Sequence, residues 1–416
     1  MTKPSTSPKT IRVLHTADWH LGKRLERFSR LQEQREVLEE ICDIAEQEQV
    51  DVVLIAGDIF DTFNPPVEAV EMFYKYAKRL ANNGRCPVVA IAGNHDSPDR
   101  FETPEPLARE CGILLLGYPN SETPRFQLES GLQILDTEPG FIELKLPDKK
   151  APLRIVTTPY ANENRLRTCL GFEDVESEMR DLLEKHWTSL AEKKCDSVGV
   201  NLLMAHLFML PPGAEAPKEA DDEKPILHVG GAQVVFSSSI PKTIQYVALG
   251  HIHGRKKVSS NPPAWYSGSP LSYSMSEAGQ QKFVSIVDCE PGKKVKLKEV
   301  PLTAGKPCLR MSFDSIEDAV RWLETSPNSL VELTIRSDTY LKAEDRQALT
   351  MAHDGIVAII PELSTDPTET SDRKKAINLE RNTEELFIDY FESRFEQKPS
   401  SDLLGLLGEV LAEDDE

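Results

Sequence analysis

No apolar run in this sequence reaches the roughly 18 residues that a membrane-crossing helix needs, so the chain does not read as membrane-embedded. Residues 1–10 are polar and contain no apolar segment of the kind that marks a secretory signal. Cysteine is sparse and unpatterned: Cys42, Cys86, Cys111, Cys169, Cys195, Cys289 and Cys308 are scattered, odd in number and form no Cys-x-x-Cys. They read as reduced, mostly core thiols of a cytoplasmic protein. No internal repeat is visible. Positive charge is in deficit, with 48 basic against 68 acidic residues and a net charge of −20. The deficit is uneven, because residues 351–416 alone hold 6 basic and 17 acidic side chains. So acidic a chain is a poor unaided binder of phosphate backbones. A nucleic-acid substrate would therefore require bound cations or a basic partner.

What is present suits a soluble globular protein of two or three domains: 416 residues, 28% charged and 39% hydrophobic. The chain is organised around Gly93-Asn94-His95-Asp96, which follows the apolar, β-branched run 88–92. Gly93 is expected to let the backbone turn sharply as that strand ends. A polar turn closing a strand would explain this tetrapeptide equally well, but four other stretches behave in the same way. Strand 11–16 ends in Asp18-Trp19-His20-Leu21-Gly22, and strand 50–55 runs into Gly57-Asp58-Ile59-Phe60-Asp61. Strand 200–205 ends at His206, and strand 244–249 empties into Gly250-His251-Ile252-His253. Helical spacing after residue 31 and after Pro65-Pro66 completes an alternation of strand and helix, which predicts an α/β layered sheet. Ligands of such sheets sit at the C-terminal strand ends. All five motifs are expected in loops of one sheet.

From residue 282 the pattern changes. Alternating strands at 283–287 and 295–302 are expected to complete the sheet, and a compact strand–helix–strand–helix–strand unit follows. Residues 211–225 read as a Pro-, Ala- and acid-rich flexible loop. Two amphipathic helices, 383–395 and 401–411, are expected in the tail, with Phe387, Phe391 and Phe395 on one and Leu403, Leu406, Leu407, Val410 and Leu411 on the other. Isolated helices this short are marginal in water, so they must dock on something.

The strand-end motifs offer Asp18, His20, Asp58, Asn94, His206, His251 and His253 together. Imidazole nitrogens mixed with carboxylate and amide oxygens suit borderline-to-hard divalent ions, and no thiolate is present to select a soft one. Seven ligands are too many for one ion and fit two ions sharing a bridging carboxylate. A pair of ions about 3.5–4 Å apart can clamp both oxygens of an in-line displacement at phosphorus. Taken singly, Asp-x-His and a lone histidine are commonplace. Their recurrence after five buried strands is not.

These motifs resemble those of the calcineurin-like metallophosphoesterases. The wording Thr16-Ala17-Asp18-Trp19-His20-Leu21-Gly22, Ala92-Gly93-Asn94-His95-Asp96-Ser97 and Tyr266-Ser267-Gly268-Ser269-Pro270 is similar to the bacterial SbcD family of nuclease subunits within that superfamily. The resemblance is dense over residues 11–275 and looser beyond. It implies an α/β layered sandwich with a small α+β capping domain and a C-terminal helical tail. The expected division is 10–303 metallophosphoesterase, 304–365 cap, 366–381 linker and 382–416 partner-binding helices.

Carried over position by position, the resemblance gives one ion to Asp18, His20, Asp58 and His253 and the other to Asp58, Asn94, His206 and His251. The ions would be manganese, with magnesium as the alternative. His95 would be a catalytic histidine that protonates or stabilises the leaving oxygen, and Asp61 an acid orienting it. The implied activity is metal-dependent exo- and endonucleolytic cleavage of DNA. The implied partners are an SbcC-like coiled-coil ATPase bound through residues 382–411 and a second copy of the chain through helices in 65–80 and 98–109. Arg255, Lys256 and Lys257, beside the last motif, are candidate phosphate contacts. The basic run Arg24, Arg27, Arg30 and Arg35 reads as a solvated helix face or a DNA-facing edge, and Trp19 as packing beneath the site. A phosphatase or small-molecule phosphodiesterase on the same fold is the alternative. A non-catalytic scaffold is a third reading, opposed by the intact ligand set.

Overall fold

Strands that are apolar on both faces need cover on both, and that requirement sets the layers of this chain. The computed structural model describes residues 9–166, 175–214, 234–337 and 341–363, with Pro399, Leu403 and Leu404. Most of the loop expected at 211–225 lies outside the described residues. So do the linker at 366–381 and, apart from the three isolated residues, the tail helices. Residues up to Ile335 and Ala343–Ile360 belong to one compact unit, and the other described residues to a second.

Leaving two-residue ladders aside, the strands are β1 (Ile11–Thr16), β2 (Val52–Ala56), β3 (Val88–Ile91), β4 (Ile113–Leu116), β5 (Gln133–Glu138), β6 (Phe141–Lys145) and β7 (Leu153–Thr158). They continue as β8 (Val200–His206), β9 (Tyr246–Gly250), β10 (Lys256–Ser260), β11 (Pro263–Tyr266), β12 (Phe283–Cys289) and β13 (Lys296–Pro301). These make two sheets rather than the single one expected. The first runs β13-β12-β1-β2-β3-β4 and the second β10-β11-β9-β8-β7-β6-β5. β1 to β4 pair in parallel, as do β7, β8, β9 and β11, while β12 and β13 return antiparallel beside β1.

Alternate residues of each strand serve different layers. Val13, Val52, Leu54 and Ile91 meet Ile155, Leu202, Met204 and Tyr246 between the sheets. Leu14, Val53, Ile55 and Val88 face the helices Leu31–Glu48 and Val67–Ala81 through Leu38, Ile41 and Phe73. On the far side of the second sheet, Val156, Leu203 and Val247 are covered by Leu183, Trp187 and Leu190 of helix Val175–Lys194. His15 crosses the layer between the sheets, with its two ring nitrogens 2.9 Å from Tyr246 Oη and 3.1 Å from the Leu249 carbonyl. A third sheet of β14 (Cys308–Phe313), β15 (Leu330–Ser337) and β16 (Ile356–Leu363) accompanies helices Ile316–Glu324 and Ala343–Ala352. Ser315 caps the first of these, its Oγ accepting the Asp318 N–H at 3.1 Å. No helix among the described residues is long and apolar enough to cross a membrane.

The basic run 24–35 is not one uniform solvated face. Arg30 is fully buried. Its guanidinium forks onto Glu33 at 2.8 and 2.7 Å and donates to the Ser272 carbonyl at 2.5 Å. Helical periodicity cannot report this, because Arg30 precedes the helix and its burial is set by tertiary packing around Ser272. Arg30→Ala strands a buried carboxylate and should cost about 3–5 kcal/mol. Arg35→Ala, on the exposed side of the helix, should stay within about 0.5 kcal/mol. Urea unfolding midpoints of the two variants test the difference.

Candidate metal centre

The mouth of the sandwich collects the strand-end residues from both sheets. Asp18, His20, Asp58 and Asn94 follow β1, β2 and β3, whereas His206, His251 and His253 end or follow β8 and β9. The first two loops run on side by side beyond their strands, with the amides of Asp18 and His20 donating to the carbonyls of Gly57 and Asp58 at 3.0 and 2.9 Å. Three candidate ligand positions are forced into the left-handed region: Asp18 at φ 53°, His20 at 43° and Asp58 at 49°; His251 lies at φ 105°. Such backbone costs on the order of 1–3 kcal/mol per residue and clusters where geometry matters more than comfort.

Gly93 is required for a reason other than the sharp turn expected. A Cβ there would fall 2.1 Å from Asp58 Oδ1 and 2.3 Å from its amide nitrogen. The glycine thus lets two motif loops touch. The neighbouring His95 amide donates to the same Asp58 Oδ1 at 2.9 Å. Asp96, to which the motif pattern gives no role, binds the loops together: its carboxylate accepts N–H groups of Gly93, Ile59 and Phe60 at 2.7, 3.1 and 2.9 Å. From the second sheet's side, buried Arg165 donates to the carbonyls of Gly93 and Asp96, both at 2.8 Å. No local signal marks Arg165, since its partners are backbone atoms about 70 residues away.

The donor atoms converge. Asp58 Oδ2 lies 3.6 Å from His20 Nε2 and 3.4 Å from His206 Nε2. His20 Nε2 and His253 Nε2 are 2.9 Å apart, and His206 Nε2 and His251 Nδ1 are each 3.0 Å from Asn94 Oδ1. His206 Nδ1 donates to the Ala56 carbonyl at 2.8 Å, which fixes the orientation of the ring and leaves Nε2 facing the cluster. Burial pushes the His20 and His251 imidazoles down to about 3, so both are neutral and able to ligate. Burial and then the Asp58 charge lift Asp18 to about 6, with His206 pulling the other way. His206, whose burial alone would lower it, is raised to about 9 by the carboxylates of Asp58 and Asp18. The cluster therefore holds buried negative charge that calls for cations. Asp18 Oδ2 and His251 Nε2 are buried with no hydrogen-bond partner among the described residues. Two imidazole nitrogens at 2.9 Å and buried polar atoms without a hydrogen-bond partner fit divalent metal ions, with nitrogen and oxygen ligands of borderline-to-hard character.

Two expected roles change. Asp61 meets His95 through its backbone carbonyl, 2.8 Å from His95 Nδ1, and not through its carboxylate. The carboxylate faces His20 Nδ1 at 3.6 Å and Lys23 Nζ at 3.0 Å. Despite burial, those two groups hold it well below the usual carboxylate range. Arg255 is withdrawn as a phosphate contact. Its side chain is 8% exposed and bonded to Ser285 Oγ at 2.6 Å and Glu299 Oε1 at 2.9 Å, and its guanidinium stacks 4.5 Å above Trp265. An unforeseen strand, β11, supplies that indole, which is why the basic tripeptide alone was misleading. Lys256 and Lys257 are exposed. Trp19 is buried as packing, with its indole N–H on Thr16 Oγ1 at 3.0 Å. A cleft of about 440 Å³ opens over the cluster, bordered by Lys23, Arg24, His95, Tyr273 and Glu332.

The sequence profile described as "Calcineurin-like phosphoesterase" matches residues 11–255. The chain belongs to that family. Among curated proteins, this calcineurin-like phosphoesterase is similar to the SbcD subunit of the nuclease SbcCD from Bacillus subtilis (strain 168), at 38% identity over 84% of this chain and 85% of that one. The SbcD subunits of Rhodobacter capsulatus and Escherichia coli K12 are 32% and 27% identical. They cover 72% and 82% of this chain, and 71% and 82% of their own lengths are matched. This calcineurin-like phosphoesterase is an SbcD-like, metal-dependent phosphodiester hydrolase. Gly93→Ala should drive Asp58 out of place. Overpacking of this kind costs about 1–3 kcal/mol, so thermal melting should fall while hydrolysis of bis-p-nitrophenyl phosphate drops further than the lost stability explains.

Proposed function

We propose that the chain is a two-metal DNA nuclease, the catalytic subunit of an SbcC-SbcD-type ATP-dependent complex that processes double-strand ends and hairpins. One ion is assigned to Asp18, His20, Asp58 and His253, and the other to Asp58, Asn94, His206 and His251. The observation that carries this division is Asp58 Oδ2, equidistant within 0.2 Å from an imidazole of each set. When bound, two such ions stabilise charge building at phosphorus and make water a competent nucleophile near neutral pH. Manganese is the expected activating ion, with magnesium as the alternative.

With its Nδ1 proton engaged by the Asp61 carbonyl, His95 in its imidazolium form would give its Nε2 proton to the leaving oxygen and be left as the neutral Nδ1–H imidazole. The Asp61 carboxylate serves His20. Exposed Lys256 and Lys257 are assigned to phosphates of the DNA. His95→Gln should keep its ions and its DNA binding while cleavage falls by roughly 10²–10⁴. Metal analysis beside a nuclease assay decides this, and loss of the ions in that variant would make His95 a ligand.

The relatives are SbcD subunits of SbcCD nucleases, and a coiled-coil ATPase partner is proposed on that basis. Docking is assigned to residues 382–411, whose apolar stripes suit a helix-in-groove contact. Such a partner would also compensate the net charge of −20. A homodimer is proposed through the region of helices Val67–Ala81 and Pro98–Glu102. There Phe63, Val67 and Leu107 are 58%, 78% and 79% exposed around an apolar pocket that includes Tyr74 and Phe101. A chain ending at Glu380 should stay folded and keep manganese-dependent cleavage of single-stranded DNA, yet fail to co-purify with the ATPase. Unfolding of the shortened chain, or an unchanged complex, would make the tail a brace instead.

A further inference from the structure

His253 has a carboxylate behind it that belongs to none of the five strand-end motifs. Its Nδ1 lies 3.4 Å from Glu277 Oε1. Glu277 ends the single-turn helix Met275–Glu277 and is 2% exposed. Its Oε1 also accepts the Tyr273 amide at 3.0 Å, and its Oε2 meets the Lys282 ammonium and the Ser269 hydroxyl, the latter at 3.3 Å. Lys282, itself 8% exposed, donates to the His253 carbonyl and to Ser269 Oγ, both at 3.1 Å. Burying a carboxylate and an ammonium together is costly unless geometry repays it. Here both ions touch the same histidine, one at its ring and the other at its backbone. His20, whose Nε2 lies 2.9 Å from that of His253, has Asp61 at the same position behind its own ring.

We propose that Glu277 is a positioning residue of the metal centre. It keeps the His253 proton on Nδ1, so that the Nε2 lone pair faces the ion, and Lys282 fixes Glu277 and the His253 backbone in turn. This rests on the metal assignment made above. A carboxylate behind a ligating imidazole sets its tautomer and orientation, and its loss typically costs 10–100-fold in metal affinity. Glutamine cannot replace it. Whichever way the amide is turned, its NH₂ group faces either the Tyr273 and His253 donors or the Lys282 ammonium.

Calorimetric titration of the full-length chain with Mn²⁺ tests this. The unaltered protein should bind two ions per chain. Glu277→Gln should weaken one of the two by roughly 10–100-fold and leave the other as it is. Adding Glu277→Gln to His253→Ala should produce no further loss, because the first acts only through the second. Removing half of a buried ion pair can unfold a chain, so Glu277→Leu with Lys282→Met, which deletes the pair whole and leaves no acceptor behind His253 Nδ1, should give the same one-ion loss. Weakening of both ions in step with a fall in melting temperature would mean a merely structural role and would overturn the proposal. If two ions bind and Glu277→Gln matches the unaltered protein, the proposal fails and the metal assignment stands. If the unaltered protein binds fewer than two, the metal assignment fails and takes the proposal with it.

Discussion

Two carboxylates, those of Asp18 and Asp58, are buried where the sheets open, and most of the surrounding structure answers to that fact. Unpaired charge in a protein interior is among the costliest arrangements a fold can hold. Asp58 is kept ionised, against its burial, by the imidazoles of His206 and His20. Its Oδ1 takes the His95 amide, and Asp18 Oδ1 takes that of His251 at 2.8 Å. The close approach of Gly93 and the three amides gathered by Asp96 hold the loops so that these contacts can form. Strand ends, glycine placement and histidine tautomers are therefore parts of one electrostatic problem.

That problem is divided between two sheets. The candidate oxygen ligands come from the first sheet with His20, and the remaining candidate imidazoles come from the second. Correct packing of Val13, Leu54 and Ile91 against Ile155, Leu202 and Tyr246 is therefore a condition for assembling the site. His15, hydrogen-bonded to Tyr246 and Leu249 just behind the mouth, pins the layers where an error in registry would matter most.

Much of this was legible in the sequence because buried strands and their polar ends are local signals. The runs 88–92 and 200–205 announce themselves by β-branched or apolar continuity, and every ligand candidate lies in the mouth. Which sheet a strand joins is not local: β2 and β8 are both buried throughout, and no periodicity separates them. The strands β5 and β10 escaped notice because they are edge or near-edge elements with half-exposed, polar-rich faces. The Asp61 carboxylate and Arg255 each sit next in sequence to a group they do not serve, and their partners come from distant segments. Arg30 pairs with nearby Glu33, but its burial depends on the Ser272 carbonyl and on tertiary packing. Arg165 and Asp96 act on backbone atoms, which leave no trace in side-chain spelling.

The left-handed backbone at Asp18, His20 and Asp58 has a consequence for anyone who sets out to harden this protein. Glycine occupies that conformation without strain, so replacing any of the three would relax the chain, and at Asp18 or Asp58 it would remove buried charge as well. A screen that selects for heat resistance alone would be drawn to these positions and would return sturdier, inert variants. The metal centre is the part of the molecule where stability and activity pull in opposite directions.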